Sequence, residues 1–174
     1  DVWLTPGPAQ ALAAEWAHSR PLTALRLHPL PALPQADFDA WLHACDLNLV
    51  RGEDSAVQAL WPSRPHLWQL YVQEDGVHAD KMQAFLARWL SPPETWPAPL
   101  VNAVRAWWLH WNGLDSQGQP RQAGSLPPAL PPLPAWWPGA PTADWQAAQA
   151  ASAQALRAQS DLASQLLAFV TRSG

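Results

Sequence analysis

In Leu47-Asn48-Leu49-Val50-Arg51-Gly52-Glu53-Asp54-Ser55-Ala56-Val57-Gln58-Ala59-Leu60-Trp61 an apolar run, a polar turn and a helical pattern follow one another without a gap. Leu47 to Val50 reads as a short buried strand, Arg51 to Asp54 turns the chain, and Ser55 to Trp61 has helical spacing. The same unit recurs on both sides. Upstream, Val2-Trp3-Leu4-Thr5 is a strand, Pro6-Gly7-Pro8 a turn, and Ala9 to His18 a helix with Leu12, Trp16 and alanines on one face. Leu25-Arg26-Leu27-His28 is a second strand, closed by Pro29 and Pro31. Asp37 is placed to cap a helix through Phe38, Trp41, Leu42 and Ala44. Downstream, His66-Leu67-Trp68-Gln69-Leu70-Tyr71 is a fourth strand, and a turn with Glu74-Asp75-Gly76 precedes a helix from Val77 to Leu90. Strand, short loop and helix, repeated in this way, predict an α/β fold: a Rossmann-like parallel sheet with right-handed crossovers, flanked by helices. Open parallel sheets bind ligands at the carboxyl ends of their strands. The loops starting at Thr5, Pro29, Arg51 and Val72 are therefore the expected binding edge.

The second half reads as helical. Pro97 or Pro99 opens a helix carrying Leu100, Val104, Trp107, Trp108 and Trp111, and Gly113 is a natural stop. Residues 114–141, rich in Pro, Gly, Gln and Ser, are expected to form an irregular loop pinned by Trp136 and Trp137. Asp144 to Val170 is expected to be one long Ala- and Gln-rich helix. The expected organisation is a single domain over 1–174, with an alternating core over 1–90, a Trp-rich helix over 97–113, a Pro-rich loop over 114–141 and a C-terminal helix over 142–171.

Composition narrows the function. Charged residues are 14% of the 174, against the usual ~25%. The formal charge is −4, and Lys81 is the single lysine beside nine arginines. A basic nucleic-acid footprint is thereby excluded as the default. No apolar run approaches the ~18–20 residues that cross a bilayer, and no leader pattern opens the chain, so a cytoplasmic protein without a membrane partner is expected. Cys45 is the one cysteine, which excludes an internal disulfide framework; a buried, inert thiol is the expected role. The six histidines are scattered without zinc-like spacing, so no metal is expected. The absence of an initiator Met before Asp1 fits one half of a longer protein.

Three clusters carry possible chemistry. Arg51-Gly52-Glu53-Asp54-Ser55 lies between strand and helix, where unpaired N–H groups and the helix dipole favour an anion such as a diphosphate. Gly52 permits close backbone approach, Arg51 offers a bidentate donor and Ser55 a hydroxyl. Glu53 and Asp54 suit sugar hydroxyls better than phosphate. A capped helix start with one surface ion pair explains the same residues, and spacing alone does not separate the two. Tyr71, the only tyrosine, and Gln73 stand with Glu74, Asp75 and His78 at the next strand mouth. Tyr71 can stack on a ring or bond a phosphate, or it is a rim residue with a wet hydroxyl. Gln35 can read a base edge and Phe38 can stack beneath it, although Phe38 also fits a core position.

Cys45 to Ser55, Pro65 to Asp75, and His78, Lys81 and Ala84-Phe85-Leu86 resemble the bacterial elongation factor P maturation arginine rhamnosyltransferases. Pro34-Gln35, Asp37-Phe38-Asp39, the Trp-rich helix and Asp161-Leu162-Ala163 with Phe169-Val170 extend the resemblance over nearly the whole chain. It implies the C-terminal, Rossmann-like half of a GT-B glycosyltransferase, binding dTDP-β-L-rhamnose without metal or other cofactor. The family transfers rhamnose, with inversion, to an arginine of elongation factor P, which would be met mainly through an N-terminal acceptor domain absent from this chain. That half also carries the family's proposed base. On this resemblance Glu53 and Asp54 match carboxylates needed for activity. Arg51, Gly52 and Ser55 match the diphosphate- and sugar-contacting loop, Tyr71 a phosphate contact, and Gln35 and Phe38 the thymine-binding region; Gln73 is counted with the substrate contacts. Ala32 and Leu33 stand where relatives often carry an aromatic, and Phe38 where many have tyrosine. The competing reading is a non-catalytic Rossmann-like protein-interaction module.

Overall fold

The computed structural model describes residues 1–19, 24–91, 96–121 and 143–172. The chain divides between Trp41 and Leu42 into two compact units.

The first unit contains β1 (Val2–Leu4), α1 (Pro8–Ser19), β2 (Leu27–Pro29) and most of α2 (Gln35–Ala44). β1 and β2 are parallel, with Val2 opposite Leu27 and Leu4 opposite Pro29. Gln10 fastens α1 to the strand ends by donating from Nε2 to the carbonyls of Leu4 and Leu30, each at 3.1 Å. Trp3 stacks on His28 at 4.3 Å and lies 4.5 Å from Trp41. Asp37 is not the cap of α2: the helix opens at Gln35, and the Asp37 N–H already donates to the Pro34 carbonyl. Pro34 starts the turn because its missing N–H is one a helix start leaves unpaired anyway.

The second unit contains β3 (Asn48–Arg51), α3 (Glu53–Leu60), β4 (His66–Gln69), α4 (Val77–Trp89), α5 (Ala98–Trp111), α6 (Ala143–Arg157) and α7 (Leu162–Arg172). β3 and β4 are parallel, with Asn48 opposite His66 and Arg51 opposite Gln69. Among the described residues the four strands therefore pair as two ladders, β1 with β2 and β3 with β4, where a single four-stranded sheet was expected.

The core of the second unit is built on aromatics. Phe85 of α4 stacks on Trp108 of α5 at 5.2 Å and meets Trp68 of β4 edge-on at 5.4 Å. Met82, Leu86, Val104, Leu109 and Leu114 fill the space around them. Trp108 is core, while its neighbour Trp107 is only half-buried, as adjacent positions on one helix require. α5 ends as expected: Gly113 takes φ 68° and the Leu114 N–H reaches back to the Leu109 carbonyl.

The C-terminal segment corrects the expectation of one helix over 142–171. α6 ends at Arg157 and α7 begins at Leu162. The break needs no proline, because Asp161 caps α7: its carboxylate accepts from the Ser164 N–H at 2.9 Å and the Ser164 hydroxyl at 2.6 Å. Most of the Pro-rich loop, with Trp136 and Trp137, lies outside the described residues. The described start of the segment closes a turn in which Asp115 Oδ1 accepts from the N–H groups of Gln117 and Gln119.

Candidate functional site

The Arg51–Ser55 turn forms at the carboxyl end of β3, where the chain leaves the ladder and enters α3 directly. Gly52 makes that entry possible. Its φ of 81° and ψ of 155° fall in a region that essentially only glycine occupies. A Cβ placed there would meet only the Tyr71 ring at 3.8–3.9 Å, an ordinary contact. The requirement is thus for backbone freedom rather than for space. Gly52→Ala is expected to destabilise the chain by about 2 kcal/mol through backbone strain alone, read from urea denaturation midpoints.

No side chain caps α3. Of the competing reading, a capped helix start with one surface ion pair, the cap is therefore absent, and the first-turn N–H groups other than that of Glu53 keep the donor character that an anion can use. Arg51 is exposed, and its guanidinium carbon lies 4.6 Å from the centroid of the Tyr71 ring. Among the described residues Arg51 makes no ion pair with a carboxylate. Stacking of a planar cation on a ring face orients its donors while leaving them unused. Ser55 is half-buried and Asp54 exposed in the same turn.

The ion pair at this turn involves a residue that the sequence reading did not single out as a site residue. Glu53 Oε1 accepts from Lys81 Nζ of α4 at 3.0 Å. This hydrogen bond, then one from its own backbone N–H, holds the Glu53 carboxyl below its ordinary range. The signals in the sequence were that Lys81 is the sole lysine, lies in the helix that follows the Tyr71 loop and is among the residues that carry the family resemblance.

The Tyr71 loop is held from below. Asn112, buried at the end of α5, accepts the Leu70 N–H on Oδ1 at 2.7 Å and donates from Nδ2 to the Trp68 carbonyl at 2.9 Å. His78 is buried, and its Nδ1 accepts the Gln73 N–H at 3.3 Å, so it supports the loop backbone and does not face solvent. Asp75 Oδ1 accepts the Val77 N–H at 3.2 Å, and Gly76 stands before α4 with φ 77°. Tyr71 and Gln73 themselves are exposed.

Gln35 and Phe38 belong to the first unit. The Gln35 amide donates to Asp39 Oδ1 at 2.8 Å, one helical turn on, and Phe38 is half-buried. Cys45 is half-buried, and burial first, then the charge of Asp46, pushes its thiol pKa up, which keeps it protonated. Among the described residues no group of three or more His, Cys, Asp or Glu is placed to hold a metal. No described helix is long and apolar enough to cross a membrane. A cleft of about 490 Å³ in the second unit is lined by His43, Pro62, Ser63, Arg64 and α6 residues, none of them a predicted site residue.

The family described as "Elongation-Factor P (EF-P) rhamnosyltransferase EarP" matches residues 7–171. The chain belongs to the EarP family. Three curated relatives are named protein-arginine rhamnosyltransferase. The Pseudomonas aeruginosa protein is 47% identical over 89 residues, 51% of this chain and 23% of its own length. The Pseudomonas putida protein is 41% identical over 106 residues, 60% of this chain and 27% of its own length. The Shewanella oneidensis protein is 37% identical over 116 residues, 67% of this chain and 27% of its own length. This EarP-family chain thus spans about a quarter of these relatives. A solved structure described as the structural basis for EarP-mediated arginine glycosylation of translation elongation factor EF-P matches at TM-score 0.61 and 28% identity. The match covers 99% of this chain and 52% of that one.

Proposed function

We propose that the chain is the donor-binding part of a GT-B protein-arginine rhamnosyltransferase, which holds dTDP-β-L-rhamnose for transfer to an arginine of elongation factor P. The observation that carries this reading is the Arg51–Tyr71 stack beside the uncapped start of α3, in a chain of the EarP family. Arg51 and the first-turn N–H groups would bind the diphosphate and stabilise the charge that develops on it as the sugar leaves. This electrostatic role uses donors the chain itself supplies. Ser55, Tyr71 and Gln73 would complete the contacts to phosphate and sugar, and Gln35 and Phe38 are proposed to meet the thymine ring. Glu53 and Asp54 would orient rhamnose hydroxyls or the incoming guanidinium, which stays protonated near neutral pH and is drawn to carboxylates.

Titration of the chain with dTDP in the presence of a chelator tests the reading. Saturable binding is expected by calorimetry. Arg51→Ala is expected to weaken it tenfold or more, because a hydrogen bond to a charged group contributes ~1.5–3 kcal/mol. Tyr71→Phe, which keeps the ring under Arg51 and removes one neutral donor, is expected to cost less, ~0.5–1.5 kcal/mol. Failure of dTDP to bind favours the protein-interaction module instead.

A further inference from the structure

Lys81 has no part in the donor-binding reading, yet its ammonium group is fixed on the turn where the donor is proposed to bind. It is the fifth residue of α4, and it reaches across to Glu53, the first residue of α3 and the neighbour of Gly52. Both side chains are about half exposed, at 46% and 56%. An exposed ion pair of this kind adds little to stability. Its effect on charge is larger. Arg51, Glu53 and Asp54 together carry one net negative charge, which Lys81 cancels. The arrangement also holds the carboxylate in place: Oε1 accepts from Lys81, and the carboxylate accepts from its own backbone N–H as well.

We propose that Lys81 is a positioning residue for the nucleoside-diphosphate donor, pinning Glu53 by one oxygen and offsetting its charge beside the anion-binding turn. The inference rests on the donor-binding reading above. Without the ammonium group, Glu53 loses its anchor on α4 and presents an uncompensated negative charge to an incoming diphosphate. A lysine suits this task because it is a compact point charge that makes a single contact.

The test is calorimetric titration of the chain with dTDP for wild type, Lys81→Met, Lys81→Arg and Lys81→Met combined with Glu53→Gln, with thermal melts of each. Lys81→Met is expected to bind about tenfold more weakly, since the bulk-water and near-surface limits for a charge pair a few ångströms apart bracket that change. The deficit is expected to shrink at high ionic strength. Lys81→Arg is expected to keep most of the affinity, and adding Glu53→Gln to Lys81→Met is expected to recover most of the loss, because the charge it unmasked is gone. Melting temperatures without dTDP are expected to stay close to wild type. If Lys81→Met binds like wild type, or Glu53→Gln recovers nothing, the proposal is overturned while donor binding stands. If Lys81→Met instead lowers the melting temperature in step with affinity, the pair is only a clamp between helices. Absence of wild-type binding overturns the donor reading and this proposal with it.

Discussion

Asn112→Ala is expected to cost about 4 kcal/mol of stability, because it strands two buried backbone groups at ~1–3 kcal/mol each and leaves a small void. The side chain is 4% exposed, and each polar atom is used: Oδ1 takes the Leu70 N–H, and Nδ2 serves the carbonyls of Trp68 and Trp108 at 2.9 and 2.8 Å. The end of β4 is thus tied to the end of α5. Alanine leaves the Leu70 N–H without its acceptor and removes a donor from the Trp68 carbonyl. Tyr71 follows directly, so the ring under Arg51 loses its footing as well. Urea denaturation reads the first effect. Calorimetry with dTDP, below the melting temperature of the variant, reads the second, and weaker binding is expected even in the folded fraction. A variant within about 1 kcal/mol of wild type would show that water takes over both backbone groups.

The second large effect is a loss of stability on acidification, centred on His66. The ring is 1% exposed, and burial lowers its pKa from 6.5 to about 4. Gln149 Nε2 lies 2.7 Å from His66 Nδ1 and also donates to the Arg64 carbonyl at 3.1 Å, so the ring is held by a neutral partner and, among the described residues, by no carboxylate. The unfolded chain takes up a proton on His66 near pH 6.5, whereas the folded chain does so only near pH 4. Between these values the unfolded state holds more protons, so stability rises with pH. The contribution is fully present above the unfolded pKa and is lost as pH falls to about 4, a change of about 3 kcal/mol. His110, lowered by burial and then by the charge of Arg121, adds to the slope in the same direction. Glu53 and Asp161, also lowered, act the same way only at the acid end, below their ordinary values of 4.5 and 3.8. Denaturation midpoints of wild type and His66→Asn across this range test the assignment: the variant should be flatter between pH 6.5 and 4 whatever its absolute stability. Parallel curves would move the slope to other groups.

Local order was legible where the chain carries its own punctuation. The four strands and the helices α1 to α5 follow apolar spacing broken by Pro and Gly, and Gly113 ends α5 where its composition says it should. The pairing of those strands was not legible, because strand, loop and helix repeats fix direction without fixing which edges meet. The break at Asp161 was missed because the flanking Ala, Gln and Leu residues are helix formers on both sides, and a single cap outweighed them. At the candidate site, position alone marked Arg51, Gly52 and Tyr71 as neighbours, since a strand end and a helix start converge there, while their proposed roles came from the family resemblance. Lys81 and Asn112 were not, because each acts on a residue 28 or more positions away through one side-chain contact that no periodicity records.

The polar face of α6 has a bearing on how many ways that helix can dock. Trp145, Ala148, Gln149, Ser152 and Ala153 are buried, and beyond Trp145 the buried stripe is of small and polar residues. Gln149 accepts the Trp89 indole N–H at 2.7 Å, and Ser152 accepts that of Trp96 at 2.9 Å while donating to the Trp89 carbonyl. Two teeth, three residues apart, thus meet two fixed sockets. A shift by one turn would strand both indoles in a dry interior. The pair acts as a vernier: it adds little to adhesion and sharpens the choice of one setting of the helix. Substituting leucine at both positions would therefore be felt first as a choice among several docked settings, with the helix itself still formed.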